Sequence, residues 1–359
     1  MLRLFIILQL FFLSLISNSF SQTVYFEGNI TSDTTWNSDT VKITDYVYIM
    51  ESATLTISPG TYIEFQGFYR LYVWGRLISV GNPVDTITFT INDTTGFCID
   101  SNSAGGWGGI QFIQSSLPND TSYISNCKIL FVKSAAIETD HNSNVIIKNN
   151  VFSHMCTGVF CYESSPLISN NIFVYSKGMA IDCAQNSNPF IVNNYIGYSA
   201  ISGIRLNESN PIISGNIIEQ NNKKYESNIP GGGISCVLSS PLIIYNDINN
   251  NEASCGGGIY CNNSSPLIIL NKICNNYSVN TGCWLNSGGG GIFCLRSSSI
   301  IINNLICNNT SKDVGGGIFC NDTSNIMIIN NTVVNNTAPS GACIYSHWHA
   351  NPTLINNIF

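Results

Sequence analysis

One phrase recurs along this chain: a glycine run, Ile-x-Cys, a Ser/Pro turn, a branched apolar run, then Asn and Ile-x-x-Asn. Gly315-Gly316-Gly317-Ile318-Phe319-Cys320 opens one copy, and Asn331 and Asn336 punctuate its far side. Self-similarity with a period of roughly 20–50 residues constrains a fold more than any local motif, because each copy must bury its apolar side against the next.

The copies align on the Asn that follows the branched run: Asn150, Asn171, Asn194, Asn216, Asn246, Asn271, Asn304, Asn331 and Asn357, with Cys127 in the same slot one copy earlier. The step varies from 21 residues (Asn150 to Asn171) to 33 (Asn271 to Asn304). Such uneven steps exclude strict helical repeats and suit coils with fixed strands and variable loops. Period-2 alternation sets Ile181, Ile204, Ile234, Ile259, Ile292 and Ile318 in one inward column, with a mostly cysteine column two residues on. Each coil therefore predicts three short strands and three turns. Proline stands only at turn starts, where it disturbs no ladder. Stacked coils superimpose like residues at about 4.8 Å, so buried Asn at a repeated bend can pass side-chain hydrogen bonds from coil to coil.

With these phrases the chain resembles the single-stranded right-handed parallel β-helix, the pectate-lyase-like superfamily, over about Cys127 to Phe359. Gly-Gly-Gly-Ile with Ile-x-x-Asn is also similar to the repeats of chlamydial polymorphic outer-membrane proteins. The stretch from Ala53 to Ile110, with Thr61, Trp74 and Trp107-Gly108-Gly109-Ile110, resembles the opening region of large secreted bacterial β-helix surface proteins. The expectation is an all-β three-sided solenoid. Residues 22–115 would form a β-rich cap and first coils, and residues 116–359 the repeats. Asn351 to Phe359 is expected to stop in mid-coil, with further repeats or a partner covering that end.

Residues 1–21 read as a secretory signal peptide: Arg3, an apolar run from Leu4 to Ile16, then Ser19-Phe20-Ser21. No later segment is long and apolar enough to span a membrane, so a secreted or cell-surface protein is expected. The net charge of −7, without a basic run, argues against nucleic acid as a partner. Only 10% of residues are charged, so uncharged polar loops must solvate the surface.

The outward position between Ile and Cys reads Phe160, Asp182, Arg205, Ser235, Tyr260, Phe293, Phe319 and Tyr345. The last four predict an exposed aromatic stripe able to stack on sugar faces, and hence a polysaccharide or cell-surface glycan as ligand. Glu138, Asp182 and Arg205 share this face, with Asp140, His141, Glu163 and Glu208 after the strand; two carboxylates two rungs apart, on the order of 9.6 Å, suit acid–base work on a glycosidic bond. These three are the candidate catalytic residues of an alternative reading as a polysaccharide lyase or glycoside hydrolase. An adhesin-type passenger or structural spacer is the third reading. The Asn-Thr-Asp, Gly-His-Gly and Arg-Ile-Lys sequences of polygalacturonases are missing, as is the pectate-lyase arginine motif.

The inward cysteines read as small apolar core residues. Cys274 and Cys307, three residues after consecutive anchors, are candidates for a disulfide one rung apart, and Cys255 with Cys283 for a second. His347-Trp348-His349 lacks further ligands, so neither a metal nor a cofactor is expected.

Overall fold

The computed structural model describes residues 22–98, 103–114, 121–222, 230–279 and 288–359. The signal-peptide segment and Cys283 lie outside the described residues. All regular structure among the described residues is β, and every strand pairing is parallel.

The chain winds through three faces in a fixed order. In one coil the first face is Ile181–Ala184, the second Phe190–Val192 and the third Tyr195–Gly197. Each strand pairs with its counterpart one coil later. The second face alone forms a sheet of 13 strands, giving a solenoid of about a dozen coils. Described residues before 115 pair with described residues after 120: Tyr123 meets Ile78, Cys127 meets Ile87 and Ile137 meets Ile110.

The three-sided cross-section follows from backbone chirality. An L-residue enters the left-handed region reluctantly, so one such residue turns a strand sharply. The coil around Asn271 has one at each corner: Asn263 at φ 47°, Leu270 at 55° and Asn275 at 59°. Asn is frequent there because its short polar side chain tolerates that conformation.

Inside each corner a polar side chain bonds along the stack. At the second corner Asn271 donates from Nδ2 to Asn304 Oδ1 (3.0 Å) and to the Ile243 and Ile269 carbonyls (2.8 and 2.9 Å); its Oδ1 accepts from the Asn246 backbone N–H at 2.9 Å. The same pattern joins the anchors from Asn150 to Asn357. A second Asn ladder runs from Asn221 through Asn251, Asn276 and Asn309 to Asn336 at the third corner. At the first corner serines do this work: the N–H of Ser164, Ser187, Ser209, Ser239, Ser264 and Ser297 each donates to the next serine hydroxyl. The ladders thus satisfy buried Asn and Ser groups at all three corners, while the Ser176 and Ser199 hydroxyls, which precede the second Asn ladder at the third corner, find no partner.

Between the corners the core is a set of stacked files. Ile234, Ile259, Ile292 and Ile318 lie in register, as do Cys236, Cys261, Cys294 and Cys320, and all are fully buried. Hydrogen bonding from Cys161 and burial hold the Cys183 thiol well above its usual range, and burial does the same to Cys320. These thiols behave as core packing and not as nucleophiles. Nearer the start, aromatic rings fill the interior: fully buried Trp107 stacks on Phe65 at 4.2 Å.

Candidate functional site

The outward position of the first face forms one continuous file. Register pairs Tyr48 with Tyr72, Tyr72 with Gln111, Gln111 with Glu138, Glu138 with Phe160, Phe160 with Asp182 and Asp182 with Arg205. It continues through Ser235, Tyr260, Phe293 and Phe319 to Tyr345. The repeated phrase does not reach Tyr48, Tyr72 or Gln111, so nothing in the sequence placed them beside Glu138.

At its N-terminal end the file opens onto an aromatic platform. Tyr48 and Tyr72 stack at 5.3 Å with planes 6° apart, and Trp74 lies 5.9 Å from each. Tyr46, 36% exposed, approaches Tyr72 at 6.0 Å and meets Tyr69 edge-on at 5.7 Å. Tyr48, Tyr72 and Trp74 are half-buried. Ring-to-ring stacking covers part of each aromatic surface. Burial raises the Tyr72 phenol, with Arg70 opposing.

Arg70 joins this platform to the polar part of the file. Its guanidinium donates to the Gly108 carbonyl (2.9 Å), Gln111 Oε1 (2.7 Å), Ser134 Oγ (2.9 Å) and Glu138 Oε2 (2.9 Å), and lies 5.9 Å from the Tyr72 ring centre. Gln111 Nε2 donates to Glu138 Oε1 at 3.3 Å. Two rungs on, Arg205 binds Asp182 in bidentate fashion, Nε to Oδ1 at 2.8 Å and Nη2 to Oδ2 at 2.5 Å. The bond to Asp182 raises the Arg205 pKa. Glu138 and Asp182 do lie two rungs apart on one face, but Phe160 stands between them and an arginine engages each. At the adjacent corner His141 lies between Asp140 (2.5 Å) and Glu163 (3.3 Å). Among the described residues no group of three or more His, Cys, Asp or Glu side chains is arranged to hold a metal.

Comparison with known proteins agrees with this architecture. Residues 108–273 match the family described as right handed beta helix region. The chain carries a right-handed β-helix region. No curated protein matches it. Among solved structures, a double mutant of the periplasmic alginate epimerase AlgG is similar at 12% identity and TM-score 0.48, over 90% of this chain and 78% of that one. The Azotobacter vinelandii mannuronan C-5 epimerase AlgE6 A-module is similar at 13% and 0.44, over 95% and 91%. PfbA, a surface adhesin of Streptococcus pneumoniae, is similar at 15% and 0.43, over 89% and 83%. Likeness at this level says nothing about activity. No helix among the described residues is long and apolar enough to cross a membrane.

The C-terminal aromatic stripe of the β-helix is not the exposed surface that alternation predicts. Tyr260 is 7% exposed, Phe293 2% and Phe319 0%, and Tyr345 is only partly exposed. They form a second apolar cluster with Cys255 and Val314. The cause is the loop that precedes each strand. Only 10 residues separate Asn171 from Ile181, whereas 14 separate Asn304 from Ile318. The longer loops form a strip of their own, Glu252–Ala253 with Tyr277–Ser278 and Thr310–Ser311. They then turn through a glycine onto the strand's outer side. Gly289, at φ +67°, would place a Cβ 2.7 Å from the Phe293 Cβ, so only glycine permits the approach. Burial pushes the Tyr260 phenol up to about 12.

Of the remaining candidates, Cys274 and Cys307 form a disulfide with Cα atoms 4.6 Å apart on adjacent rungs of the third face. Cys255 is also disulfide-bonded.

Proposed function

We propose that the protein is a secreted or cell-surface glycan-binding β-helix whose contact surface is the N-terminal part of the first face. The observation that carries this reading is the partly exposed Tyr46, Tyr48, Tyr72 and Trp74 platform, continuous with Arg70, Gln111 and Glu138. Partly exposed aromatic side chains beside a fixed array of donors and acceptors suit a ligand that presents both C–H patches and hydroxyls. Tyr260, Phe293 and Phe319 are buried, which favours the N-terminal rings over the C-terminal ones as the contact. Glu138 and Asp182 are read as ligand-positioning charges held by Arg70 and Arg205 in place of an acid–base pair. The outward disulfide accords with an oxidising compartment, as does the apolar leader.

The test is a glycan array followed by titration of any bound oligosaccharide, with wild type and the Tyr48→Ala/Tyr72→Ala double variant. Loss of two contacting rings, at about 0.5–1.5 kcal/mol each, weakens binding roughly 5- to 150-fold. Unchanged affinity in the double variant, or a wild type that retains no glycan, sinks the reading. Shortening of a bound polysaccharide that stops on Asp182→Asn replaces it with the hydrolase or lyase alternative.

A further inference from the structure

The charges around the aromatic platform bear on which glycans it can accept. Among the described residues two cations serve the first face between Tyr48 and Arg205, and both are already paired. Arg70 directs its donors to the Gly108 carbonyl, Gln111, Ser134 and Glu138, and the Arg70 and Glu138 side chains are only 18% and 22% exposed. Arg205 is held by both oxygens of Asp182, whose side chain is 6% exposed. On the adjoining third face Lys42 binds Glu64 at 3.2 Å. Between those faces Lys133 and Lys177 turn to the Gly96 and Phe97 carbonyls, at 3.0 and 2.7 Å.

The carboxylates without a cation stand beside the rings. Asp45, exposed, precedes Tyr46 and accepts its N–H at 2.7 Å. Glu27, exposed and one rung earlier, accepts the Thr44 hydroxyl at 2.6 Å. Glu51, exposed, follows Tyr48 by three residues, past the other end of the strand. Among the described residues none of these three has an ion-pair partner. With consecutive Cα atoms about 3.8 Å apart, Asp45 lies within about 4 Å of Tyr46 and Glu51 within about 11 Å of Tyr48, Cα to Cα. The Debye length at physiological salt is about 8 Å, so both charges are felt at the rings.

These placements discriminate between ligands. A uronate or sulfate group meets no unpaired guanidinium or ammonium here. To gain one it must displace Glu138 from Arg70 or Asp182 from Arg205, and the carboxylate left behind is unpaired and partly buried, a greater loss than an exposed ion pair returns. An ammonium group finds carboxylates, but they are exposed and lie on opposite sides of the rings, where a single pair contributes little. A neutral sugar breaks no pair. The rest of the surface is uncharged: the half-buried Tyr48, Tyr72 and Trp74 side chains and the Gln111 amide. On the reading that this surface binds glycan, we infer that it selects uncharged chains, those with hydroxyls and acetal oxygens but without carboxylate, sulfate or ammonium groups. Arg70 and Arg205 then fix Glu138 and Asp182 in the surface instead of neutralising the ligand.

The experiment is a glycan array with neutral, uronic-acid, sulfated and amino-sugar chains, run on the mature chain, followed by titration of the best-retained oligosaccharide. Titrations at about 0.02 M and about 0.5 M NaCl take the Debye length from about 20 Å to about 4 Å. The expected ligand is neutral, and its affinity changes by less than about 2-fold between the two salts. An Asp45→Asn/Glu51→Gln variant, checked for folding by far-UV circular dichroism, binds it within about 2-fold of wild type. Preference for a uronic-acid, sulfated or amino-sugar chain overturns the inference while leaving glycan binding in place. So does a larger loss of affinity in high salt or in the double variant. If the variant does not fold, the array and the wild-type salt titration decide alone. A wild type that retains no glycan removes the glycan-binding reading itself, and the inference with it.

Discussion

Asn271 is the place to ask whether the corner ladders hold the coils together. It is buried and its amide makes five hydrogen bonds, two accepted by Oδ1 and three donated by Nδ2. Asn271→Ala strands the Asn246 backbone N–H outright. Other neighbours keep a second partner: Asn246 Nδ2 still donates to the Ile213 carbonyl, and Asn304 Oδ1 still accepts from the residue 271 N–H. One stranded donor plus the net loss of the remaining bonds amounts to about 2–4 kcal/mol. Asn271→Asp separates hydrogen bonding from size. It has the same shape and keeps Oδ1, but its second oxygen faces the Ile243 and Ile269 carbonyls and Asn304 Oδ1. Three acceptors then meet a buried charge, so Asp is the worse substitution despite its better fit. Urea midpoints by circular dichroism give the ranking, and hydrogen exchange at the Asn246 amide gives a local readout that does not depend on two-state unfolding. An Asp variant as stable as wild type, or more stable than Ala, would refute the ladder as the reason for Asn at this corner.

Three further outcomes follow from the same structure. Phe293→Ala, which removes a ring stacked on Phe319 at 4.7 Å, lowers stability by about 3–5 kcal/mol in urea titrations; equal stability would return these rings to the surface. The Tyr260 phenol is raised from 10.0 to about 12 on folding, so the folded chain holds that proton more tightly than the unfolded chain. The associated stability is complete below pH 10 and is lost as pH rises through 12, on the order of 3 kcal/mol; Tyr260→Phe therefore retains more of its neutral-pH urea midpoint at pH 11 than wild type does, and equal losses would disprove the assignment. Opening the Cys274–Cys307 disulfide, which spans 33 residues, costs about 3–4 kcal/mol; Cys274→Ser and reductant should lower the melting temperature of the parent by similar amounts, and reductant should then do less to the variant.

The repeat phrase marks the anchors, the inward Ile and Cys files and the three-strand coil, because these depend on residue type and period. It marks the Asn ladders for the same reason. The Ser164 to Ser324 ladder escapes notice because serine is also an ordinary turn residue. Alternation assigns Phe293 and Phe319 correctly to the outside of the strand, yet period 2 records only direction. Whether outward means solvent depends on the loop before the strand, and the glycines that bring that loop down were visible without their consequence. The Arg70–Glu138 pair joins residues 68 apart across one intervening rung, that of Gln111, in coils that do not share the repeat phrase, so no local spacing reveals it.

Because the corners of a coil such as that around Asn271 are closed by left-handed residues and inward polar groups, such a coil is a unit of length. Excising Ile259 to Gly291 would bring Ile292 under Ile234 with both flanking files intact, shortening the rod by one step of the stack. The distance between the aromatic platform and the far end of the molecule is thus a quantity that insertion or loss of whole coils can tune, with the platform's own geometry untouched.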